Sequence, residues 1–418
     1  MEKIVASIIT IGDELLIGQV IDTNSAWMAQ ELNKAGIWVR HRVAVGDVRE
    51  DIWNALDAES QRARIILITG GLGPTADDIT KPLLTEYFGG RLVVDEGALA
   101  NVRHIFERVL QRPMIERNLK QAEVPDVCTV IQNKRGTAPG MWFEKDGRIY
   151  VSMPGVPHEM KGMMTDYVIA ALQRHFTLPA IAHRTLLTAG IGESYLAEHI
   201  QEFETALPPN IRLAYLPNYG MVRLRLTANG PDKAALEKEV QDQFDTLKKL
   251  TAEWMVTDED LSMEAAVGRL LKSKGKTVAT AESCTGGYIA HLLTSIPGSS
   301  HYFKGGVVSY ANEIKESLLG VDPQTLAAHG AVSEETVQQM VRGALAHLNT
   351  DYAIATSGIM GPDGGTPEKP VGTVWIAVGS SQKTVTLKTS FRFDRERNIE
   401  LAARNAMNLL RKFILSGH

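Results

Sequence analysis

The turn around Ser283 combines a hydroxyl group with two glycines, a pattern found around serine nucleophiles. Ser283 follows the β-type run 277–281 and precedes Thr285-Gly286-Gly287, so the sequence predicts a strand that turns directly into a helix. A serine in such a turn exposes its hydroxyl group, and the N–H groups around Thr285, Gly286 and Gly287 can hold an oxyanion. The same spacing also fits a serine that caps the helix. The turn alone leaves both interpretations open.

A serine that attacks an amide needs a base, and a lysine follows nearby. Tyr310 and Lys315 lie in the segment Tyr310-Ala311-Asn312-Glu313-Ile314-Lys315. A lysine that burial keeps neutral can accept the proton of a hydroxyl group. The histidines of the same region are alternative bases, but their surroundings are typical of helix surfaces or loops: His291, His301 and His329.

The chain has two cysteines, and one of them is a rival nucleophile. Cys284 is adjacent to Ser283, and thiolates need less activation than hydroxyl groups. We expect Cys284 to be buried as a small apolar side chain, which favours Ser283. Cys128 lies far from it, and neither belongs to a Cys-x-x-Cys pair. This usage predicts a reduced, cytoplasmic protein without a cysteine-based metal site.

Two glycine-rich loops follow predicted strands and are typical of anion contacts. One follows the strand predicted at 352–356, and the helix predicted beyond it is preceded by an arginine that can clamp a phosphate. The candidate substrate contacts there are Ser357, Gly361, Gly364, Gly365 and Arg395. The other loop follows the strand predicted at 65–69 and contributes Gly70, Gly71, Gly73 and Thr75. Neither loop has the spacing of a Walker loop or of a dinucleotide-binding fingerprint.

Carboxylates accompany the first glycine loop at three predicted strand ends. Asp77 and Asp78 follow the loop, Asp13 follows the first strand, and Glu159 follows the strand predicted at 149–153. The two adjacent aspartates fit a helix cap and a ligand of a phosphate-bound divalent metal equally well. Because the ends of parallel strands share one edge of a sheet, the sequence predicts an anion site there, with a divalent metal as the sharper interpretation.

The elements predicted around these motifs divide the chain into three parts. Residues 1–175 alternate β-branched runs with helical patterns, which predicts a three-layer α/β domain. Residues 176–256 predict a small α+β module, which is followed by the acidic stretch Thr257-Asp258-Glu259-Asp260, interpreted as a linker. Residues 257–418 again predict a three-layer α/β domain. The expected fold is therefore two α/β domains flanking an α+β module.

Composition narrows the classes of function. The 418 residues are 44% hydrophobic and 22% charged, which is typical of a globular protein of about two to three domains. Lys and Arg number 44 against 49 Asp and Glu, so no overall basic field attracts nucleic acid or an anionic membrane. The apolar run 4–11 is too short for a transmembrane helix and lacks a signal peptide's cleavage pattern. We expect small-molecule partners.

The ordered motifs resemble the competence/damage-inducible protein A family over nearly the whole chain. The strings similar to its molybdopterin-binding-like domain are Gly12-Asp13-Glu14-Leu15-Leu16, Asp22-Thr23-Asn24, the loop 69–75, Gly136-Thr137-Ala138-Pro139-Gly140 and Pro154-Gly155-Val156-Pro157. Those similar to its nicotinamide-nucleotide amidohydrolase domain are the segments 281–287, 310–315 and 357–365.

The resemblance implies two activities. The first domain of the family hydrolyses ADP-ribose to AMP and ribose 5-phosphate with a divalent metal, here Mg, Mn or Co. The last domain converts nicotinamide mononucleotide to nicotinate mononucleotide and ammonia, without a cofactor. The resemblance implies the following roles: nucleophile Ser283, base Lys315, proton-transfer helper Tyr310, substrate contacts Ser357 and Arg395. The family's usual glycine before Asp-Arg is Phe393 in this chain, and this departure bears on Arg395.

Two other interpretations of the chain stay open at this stage. The first domain fits a non-catalytic pterin- or nucleotide-binding module as well as it fits a pyrophosphatase. A DNA-uptake partner, suggested by the family's name, is disfavoured by the net charge of -5. The middle module has no motif of its own and the size of an assembly element, so we expect a homodimer.

Overall fold

A computed structural model describes residues 3–75 and 78–417 of the chain. By its internal contacts the chain divides into two units. One comprises Met1–Ile181 and Asn229–Lys233, and the other comprises Ala182–Ala228 and Ala234–His418. No helix in the described part of the chain is long and apolar enough to cross a membrane.

The first unit alternates strands and helices. Its strands are β1 (Val5–Ile11), β2 (Trp38–Val45), β3 (Ile65–Thr69), β4 (Leu92–Val94), β5 (Glu123–Pro125), β6 (Thr129–Ile131), β7 (Gly140–Lys145) and β8 (Arg148–Met153). Its helices are α1 (Asp13–Leu16), α2 (Thr23–Lys34), α3 (Arg49–Ser60), α4 (Thr80–Tyr87), α5 (Glu96–Arg103), α6 (Glu116–Leu119), α7 (Pro157–Met163) and α8 (Ile169–His175).

Six of these strands form one sheet in the order β2-β1-β3-β8-β7-β6. The first four are parallel neighbours, so β1, β3 and β8 end at the same edge. β7 and β6 are antiparallel, which the sequence analysis did not predict. The β7–β8 turn explains this difference, because Asp146 and Gly147 both have positive φ, the conformation of a two-residue hairpin turn.

The alternation of side chains along β1 places helices on both faces of this sheet. Ala6 and Ile8 belong to a buried cluster that contains residues of α2, α7 and α8. Ile9 and Ile11 belong to a second cluster that contains residues of α3 and α4. Successive residues of a strand point to opposite faces, so the sheet is covered on both sides. The predicted three-layer architecture is confirmed here.

The second unit begins with the small α+β module. Its elements are β9 (Ala180–Ala189), α9 (Glu193–His199), α10 (Gln201–Thr205), β10 (Ile211–Asn218), β11 (Met221–Gly230), α11 (Lys233–Leu250) and β12 (Met255–Thr257). The four strands form a sheet in the order β10-β11-β9-β12. The interpretation of 257–260 as a linker is wrong at Thr257, which lies in β12. In the rest of the stretch, Asp258 forms an ion pair with Lys248 and Glu259 forms one with Arg269.

The remainder of the second unit is the other α/β domain. Its elements are α12 (Met263–Lys274), β13 (Val278–Glu282), α13 (Tyr288–Thr294), β14 (Phe303–Val308), α14 (Asn312–Leu319), α15 (Pro323–His329), α16 (Glu334–Leu348), β15 (Tyr352–Gly358), β16 (Thr373–Gly379), β17 (Thr384–Ser390) and α17 (Arg395–Leu415). The sheet order is β14-β13-β15-β16-β17, and its first three strands are parallel. Helices cover both faces of this sheet as well.

The α+β module and the last α/β domain share one hydrophobic core. Leu187, Ala189 and Met221 of the module belong to the same buried cluster as Val267 of α12 and Leu410 of α17. This continuity explains why the two parts form a single unit. The predicted combination of two three-layer α/β domains with a small α+β module is confirmed.

Candidate functional site

Ser283 lies at the apex of the turn that follows β13. Its N–H group donates to the carbonyl oxygen of Thr356 on β15 at 2.9 Å, which fixes its backbone against the neighbouring strand. The residue is 9% exposed, and in the described part of the chain its hydroxyl group makes no hydrogen bond. Helix α13 begins only at Tyr288, with Gly287 as its N-cap residue. The interpretation of Ser283 as a helix cap is therefore wrong.

The carboxylate of Glu282 organises this turn, and the sequence analysis missed it. Glu282 is buried and accepts hydrogen bonds from the N–H groups of Gly287, Ile289 and Ala290 at 2.8–3.1 Å. It also accepts one from the Thr285 hydroxyl group at 2.7 Å. A carboxylate at a helix N-terminus satisfies N–H groups that have no partner within the helix. The signal was an acidic residue between a strand and a helix start.

These contacts change the assignment of the oxyanion donors. The Gly286 N–H group donates to the Ser283 carbonyl oxygen at 3.1 Å, and the Gly287 N–H group donates to Glu282. Two of the three predicted donors are thus engaged within the protein, and the Thr285 N–H group remains. The N–H groups of Cys284 and Thr285 donate to no other residue among the hydrogen bonds of the described chain. They are the donors nearest to Ser283 that remain for an oxyanion.

Lys315 is fully buried beside the same turn. Its Nζ atom donates to the carbonyl oxygens of Ser309 at 2.6 Å and Tyr310 at 3.3 Å. Burial lowers the pKa of Lys315, and its electrostatic interactions with Cys284 and Glu313 oppose this shift more weakly. The Ser309 N–H group in turn donates to the Glu282 carbonyl oxygen at 2.8 Å, which places the amine beside the strand end that carries Ser283. Burial therefore shifts this lysine toward its neutral form.

Tyr310, Gly361 and Arg395 come together at one point of this edge. The Arg395 guanidinium donates to the Tyr310 hydroxyl oxygen at 2.9 Å and to the Gly361 carbonyl oxygen at 2.8 Å. Tyr310 is 62% exposed, so its ring lies at the surface of the site. The three loops that carry the predicted residues thus meet.

Other predicted contacts have different surroundings. The Ser357 hydroxyl group is buried and donates to the Ala331 carbonyl oxygen at 2.7 Å, so its proton holds the loop at Ala331 and is not offered to a substrate. Gly364 and Gly365 are exposed in the loop between β15 and β16. The predicted contexts of the alternative bases are confirmed, since all three are exposed on short helices: His291, His301 and His329.

Cys284 is buried in the hydrophobic core, as the sequence analysis expected. Burial raises the pKa of the Cys284 thiol to about 12. A thiol of this pKa carries almost no thiolate near neutral pH. The geometry therefore favours Ser283 over its neighbour as the nucleophile.

A second candidate site is a cleft of about 420 Å³ at the edge where β1, β3 and β8 end. The predicted convergence of three strand ends is confirmed, and lining residues include Gly12, Gly70, Gly71, Gly155 and Glu159. Gly70 has φ of 116°, and a Cβ atom on it would lie 2.1 Å from the Ile11 carbonyl oxygen. Only glycine fits this close approach of two strand ends.

The first glycine loop folds around the Asp78 carboxylate. The N–H groups of Gly73 and Thr75 each donate to Asp78 at 2.8 Å, and the Thr75 hydroxyl group donates to it as well. A side-chain anion thus lies where the sequence analysis expected a phosphate. Of the two interpretations of the aspartates, capping describes Asp78, although it caps the loop and not α4. Asp77 lies outside the described residues.

The other predicted metal ligands are also engaged. Asp13 Oδ1 accepts from the Asp47 N–H group at 3.2 Å, and the Asp13 N–H group donates to Asp47 Oδ2 at 3.2 Å. Glu159 accepts from the Asn133 side chain at 2.5 Å, and burial raises the pKa of Glu159. Within residues 3–75 and 78–417, no three of the His, Cys, Asp and Glu side chains are grouped as metal ligands.

Comparisons with protein families match all three parts in order. Residues 7–174 match a family model described as "Probable molybdopterin binding domain". Residues 183–255 match "Damage-inducible protein CinA KH domain", and residues 260–414 match "CinA C-terminal domain".

Individual proteins are similar over nearly the same length. A "CinA-like protein" from Cytophaga hutchinsonii is 47% identical and covers 98% of each chain. Another from Chloroherpeton thalassium is 45% identical and covers 98% of this chain and 99% of its own. The crystal structure of competence damage-inducible protein A from Klebsiella pneumoniae is 39% identical, covers 37% of this chain and 97% of its own, and has a TM-score of 0.37. The chain belongs to the CinA family.

Proposed function

We propose that the last domain is an amidase that converts nicotinamide mononucleotide to nicotinate mononucleotide and ammonia. One observation carries the proposal: the buried Lys315 amine beside the turn that presents Ser283, with a pKa lowered by burial. A lysine whose pKa is lowered by burial releases its proton more easily and can then accept the proton of a serine hydroxyl group. The substrate class comes from the family resemblance of the motifs.

In the proposed reaction, the Ser283 Oγ atom attacks the carboxamide carbon and its proton passes to Lys315. The negative oxygen of the tetrahedral intermediate faces the N–H groups of Cys284 and Thr285. The C–N bond then breaks, and ammonia leaves with the proton from Lys315. Water attacks the resulting ester, Lys315 takes the proton of this water, and the carboxylate product leaves as Ser283 regains its hydrogen. Tyr310 assists these transfers at the edge of the site.

Arg395 is the proposed anchor for the substrate phosphate. Replacing it with alanine is expected to raise KM for nicotinamide mononucleotide by about 10- to 100-fold, since a hydrogen bond to a charged group contributes about 1.5–3 kcal/mol. We expect little change in kcat, because in this assignment the guanidinium binds the phosphate and not the carboxamide. Ammonia release measured against substrate concentration separates the two constants. Arg392→Ala is the matched control, since Arg392 is an exposed arginine of the same segment. A rise in KM for both variants, or for neither, would contradict this assignment.

For the first domain we propose metal-dependent hydrolysis of ADP-ribose to AMP and ribose 5-phosphate in the cleft at β1, β3 and β8. Mg²⁺ is commonly held by one or two carboxylates together with substrate phosphates, so it does not require a preassembled group of three ligands. Glu14, Asp47 and Glu159 line the cleft and are the described carboxylates that fit this role, since both oxygens of Asp78 are engaged by its own loop. A bound metal polarises a pyrophosphate and activates water.

The alternative is that the first domain binds a pterin or nucleotide without turnover. The engagement of two predicted metal ligands favours this alternative, since Asp13 accepts from the Asp47 N–H group and Glu159 accepts from the Asn133 side chain.

A chelator experiment distinguishes the two proposals for the first domain. With Mg²⁺, Mn²⁺ or Co²⁺ we expect AMP release from ADP-ribose that a chelator abolishes, while ammonia release from nicotinamide mononucleotide is unaffected. Ser283→Ala should lose only ammonia release, and Glu159→Gln should lose only AMP release. No AMP with any of the three metals would leave the binding-module alternative.

A further inference from the structure

The hairpin of the middle module has an unusual residue at its turn. β10 and β11 are joined by Tyr219 and Gly220, whose φ angles are 45° and 74°. Such two-residue turns favour Asn-Gly, and a bulky residue with positive φ is an outlier. Strained conformations of this kind persist where the surrounding structure holds them and are concentrated at functional positions. The conformation of Tyr219 therefore indicates that contacts of its side chain hold the turn.

This ring contacts one face of α17 in the last domain. Its centroid lies 5.8 Å from the Arg397 guanidinium and 5.8 Å from that of Arg404. A Cβ atom on Gly220 would lie 3.4 Å from a methyl group of Leu401, which is on the same helical face between the two arginines. The two distances from the Tyr219 ring to the guanidinium groups are within the range of cation–π attraction. The hairpin turn is thus seated on the first three turns of α17.

Arg397 connects Tyr219 to the segment before α17. Its guanidinium also stacks on the Phe393 ring at 4.2 Å. Asn398, fully buried, donates to the carbonyl oxygens of Phe393 at 2.9 Å and Met360 at 3.1 Å. It also accepts from the Phe393 N–H group at 3.2 Å. Phe393 is therefore fixed on its ring by Arg397 and on its backbone by Asn398.

Arg395 lies inside this clamped segment. It is the first residue of α17, two positions after Phe393 and two before Arg397. From there its guanidinium reaches Gly361 and Tyr310. The direction of a long side chain depends on the backbone that carries it. A fixed backbone conformation of residues 393–397 therefore sets the position of the Arg395 guanidinium group.

We propose that the module's hairpin is a positioning element of the amidase site: Tyr219 holds Arg397 over Phe393, which orders the first turn of α17 and aims Arg395 at the substrate's anionic group. The substrate part of this inference rests on the proposed amidase function. It gives a role to Phe393, where the family's usual residue is glycine, because glycine has no ring on which Arg397 can stack. The inference also assigns the middle module a role, which is to position a residue of the last domain.

The test uses the full chain with Tyr219→Asn, which removes the ring and leaves a turn sequence that favours the same backbone. Tyr195→Ala is the matched control, since Tyr195 is a 72% exposed tyrosine of α9 in the same module. The first readout is amide hydrogen exchange of residues 391–398, which needs no substrate. We expect exchange about threefold to tenfold faster in Tyr219→Asn, the size of the lost cation–π contact with Arg397, and no change in the control.

The second readout is deamidation kinetics. KM for nicotinamide mononucleotide should rise about threefold to tenfold in Tyr219→Asn with kcat unchanged. In an Arg395→Ala background the same change should add nothing, since the two positions act through one group. Unchanged hydrogen exchange overturns the proposal whatever the activity. Faster exchange with unchanged KM overturns it too. If exchange is faster in Tyr219→Asn but the wild-type chain releases no ammonia, the amidase proposal is refuted and the clamp stays supported.

Discussion

Replacing Ser283 with alanine is expected to abolish ammonia release from nicotinamide mononucleotide, with kcat falling roughly 10⁴- to 10⁶-fold, the range seen when a serine nucleophile is removed. The structure gives the reason: the Thr285 hydroxyl group donates to Glu282 and the Cys284 thiol lies in the hydrophobic core, whereas the Ser283 hydroxyl group makes no hydrogen bond in the described turn. The fold should be unaffected, because the Ser283 side chain makes no hydrogen bond in the described chain. Steady-state ammonia assays and a thermal unfolding curve measure both expectations.

Cys284→Ala is the matched control for this experiment. Its thiol has a pKa raised to about 12 by burial, so at pH 7 only about one molecule in 10⁵ carries the thiolate. We expect near-wild-type kcat together with a loss of about 1–3 kcal/mol in the free energy of unfolding, since a buried side chain is truncated. Retained activity in Ser283→Ala with loss in Cys284→Ala would reverse the assignment of the nucleophile.

The sequence predicted those parts of the fold that local patterns determine. β3 has the predicted bounds, and the bounds of β8, β13 and β15 lie within two residues of those predicted. Gly275 ends α12 in the left-handed conformation that favours glycine at a C-cap. β14 was missed because Gly305 and Gly306 interrupt its apolar pattern. Its pairing with β13 is a long-range interaction, and periodicity does not report such interactions. The same applies to the antiparallel β7, whose turn signal was short.

The site residues also divide into those that local patterns indicate and those whose role depends on the folded structure. The sequence located Ser283 and Lys315 by type and spacing, and the structure places both at one edge of the sheet. Glu282 was missed because its role depends on the N–H groups of a helix that only the folded turn aims at it. Asp78 was left open between two roles, and the fold of its own loop distinguishes them. Metal, substrate, homodimer and cytoplasmic location stay predictions.

Glu282 also explains why the turn can serve a nucleophile at all. Its carboxylate takes up the N–H groups of Gly287, Ile289 and Ala290, so the positive end of α13 is neutralised within the protein. An anion of the substrate is therefore not drawn to the helix start. The N–H groups of Cys284 and Thr285, which donate to no other residue among the described hydrogen bonds, remain beside Ser283 as donors for the proposed attack.

Lys315→Met is expected to lower kcat/KM for deamidation by about 10² to 10⁴, the contribution of one positioned proton-transfer group. Methionine keeps the length and the apolar stem of the side chain and removes the base. Lys315→Arg is the companion variant, since arginine keeps the charge but cannot release its proton, and it should be equally inactive. Near-normal turnover in either variant would remove lysine from the mechanism.

The pH dependence of the wild type provides an independent check on the same residue. Because burial lowers the pKa of Lys315 from its ordinary 10.5, kcat/KM should rise with pH along a limb centred below that value, and this limb should be absent in Lys315→Met.

The contribution of Lys315 to the stability of the fold should also rise with pH. Between the lowered pKa and 10.5 the unfolded chain binds more protons at this group than the folded chain does. The free energy of unfolding contributed by Lys315 therefore rises with pH across this window and is at its lowest below it. Denaturation of wild type and Lys315→Met at several pH values measures this difference, and parallel curves would show that Lys315 is an ordinary charged lysine.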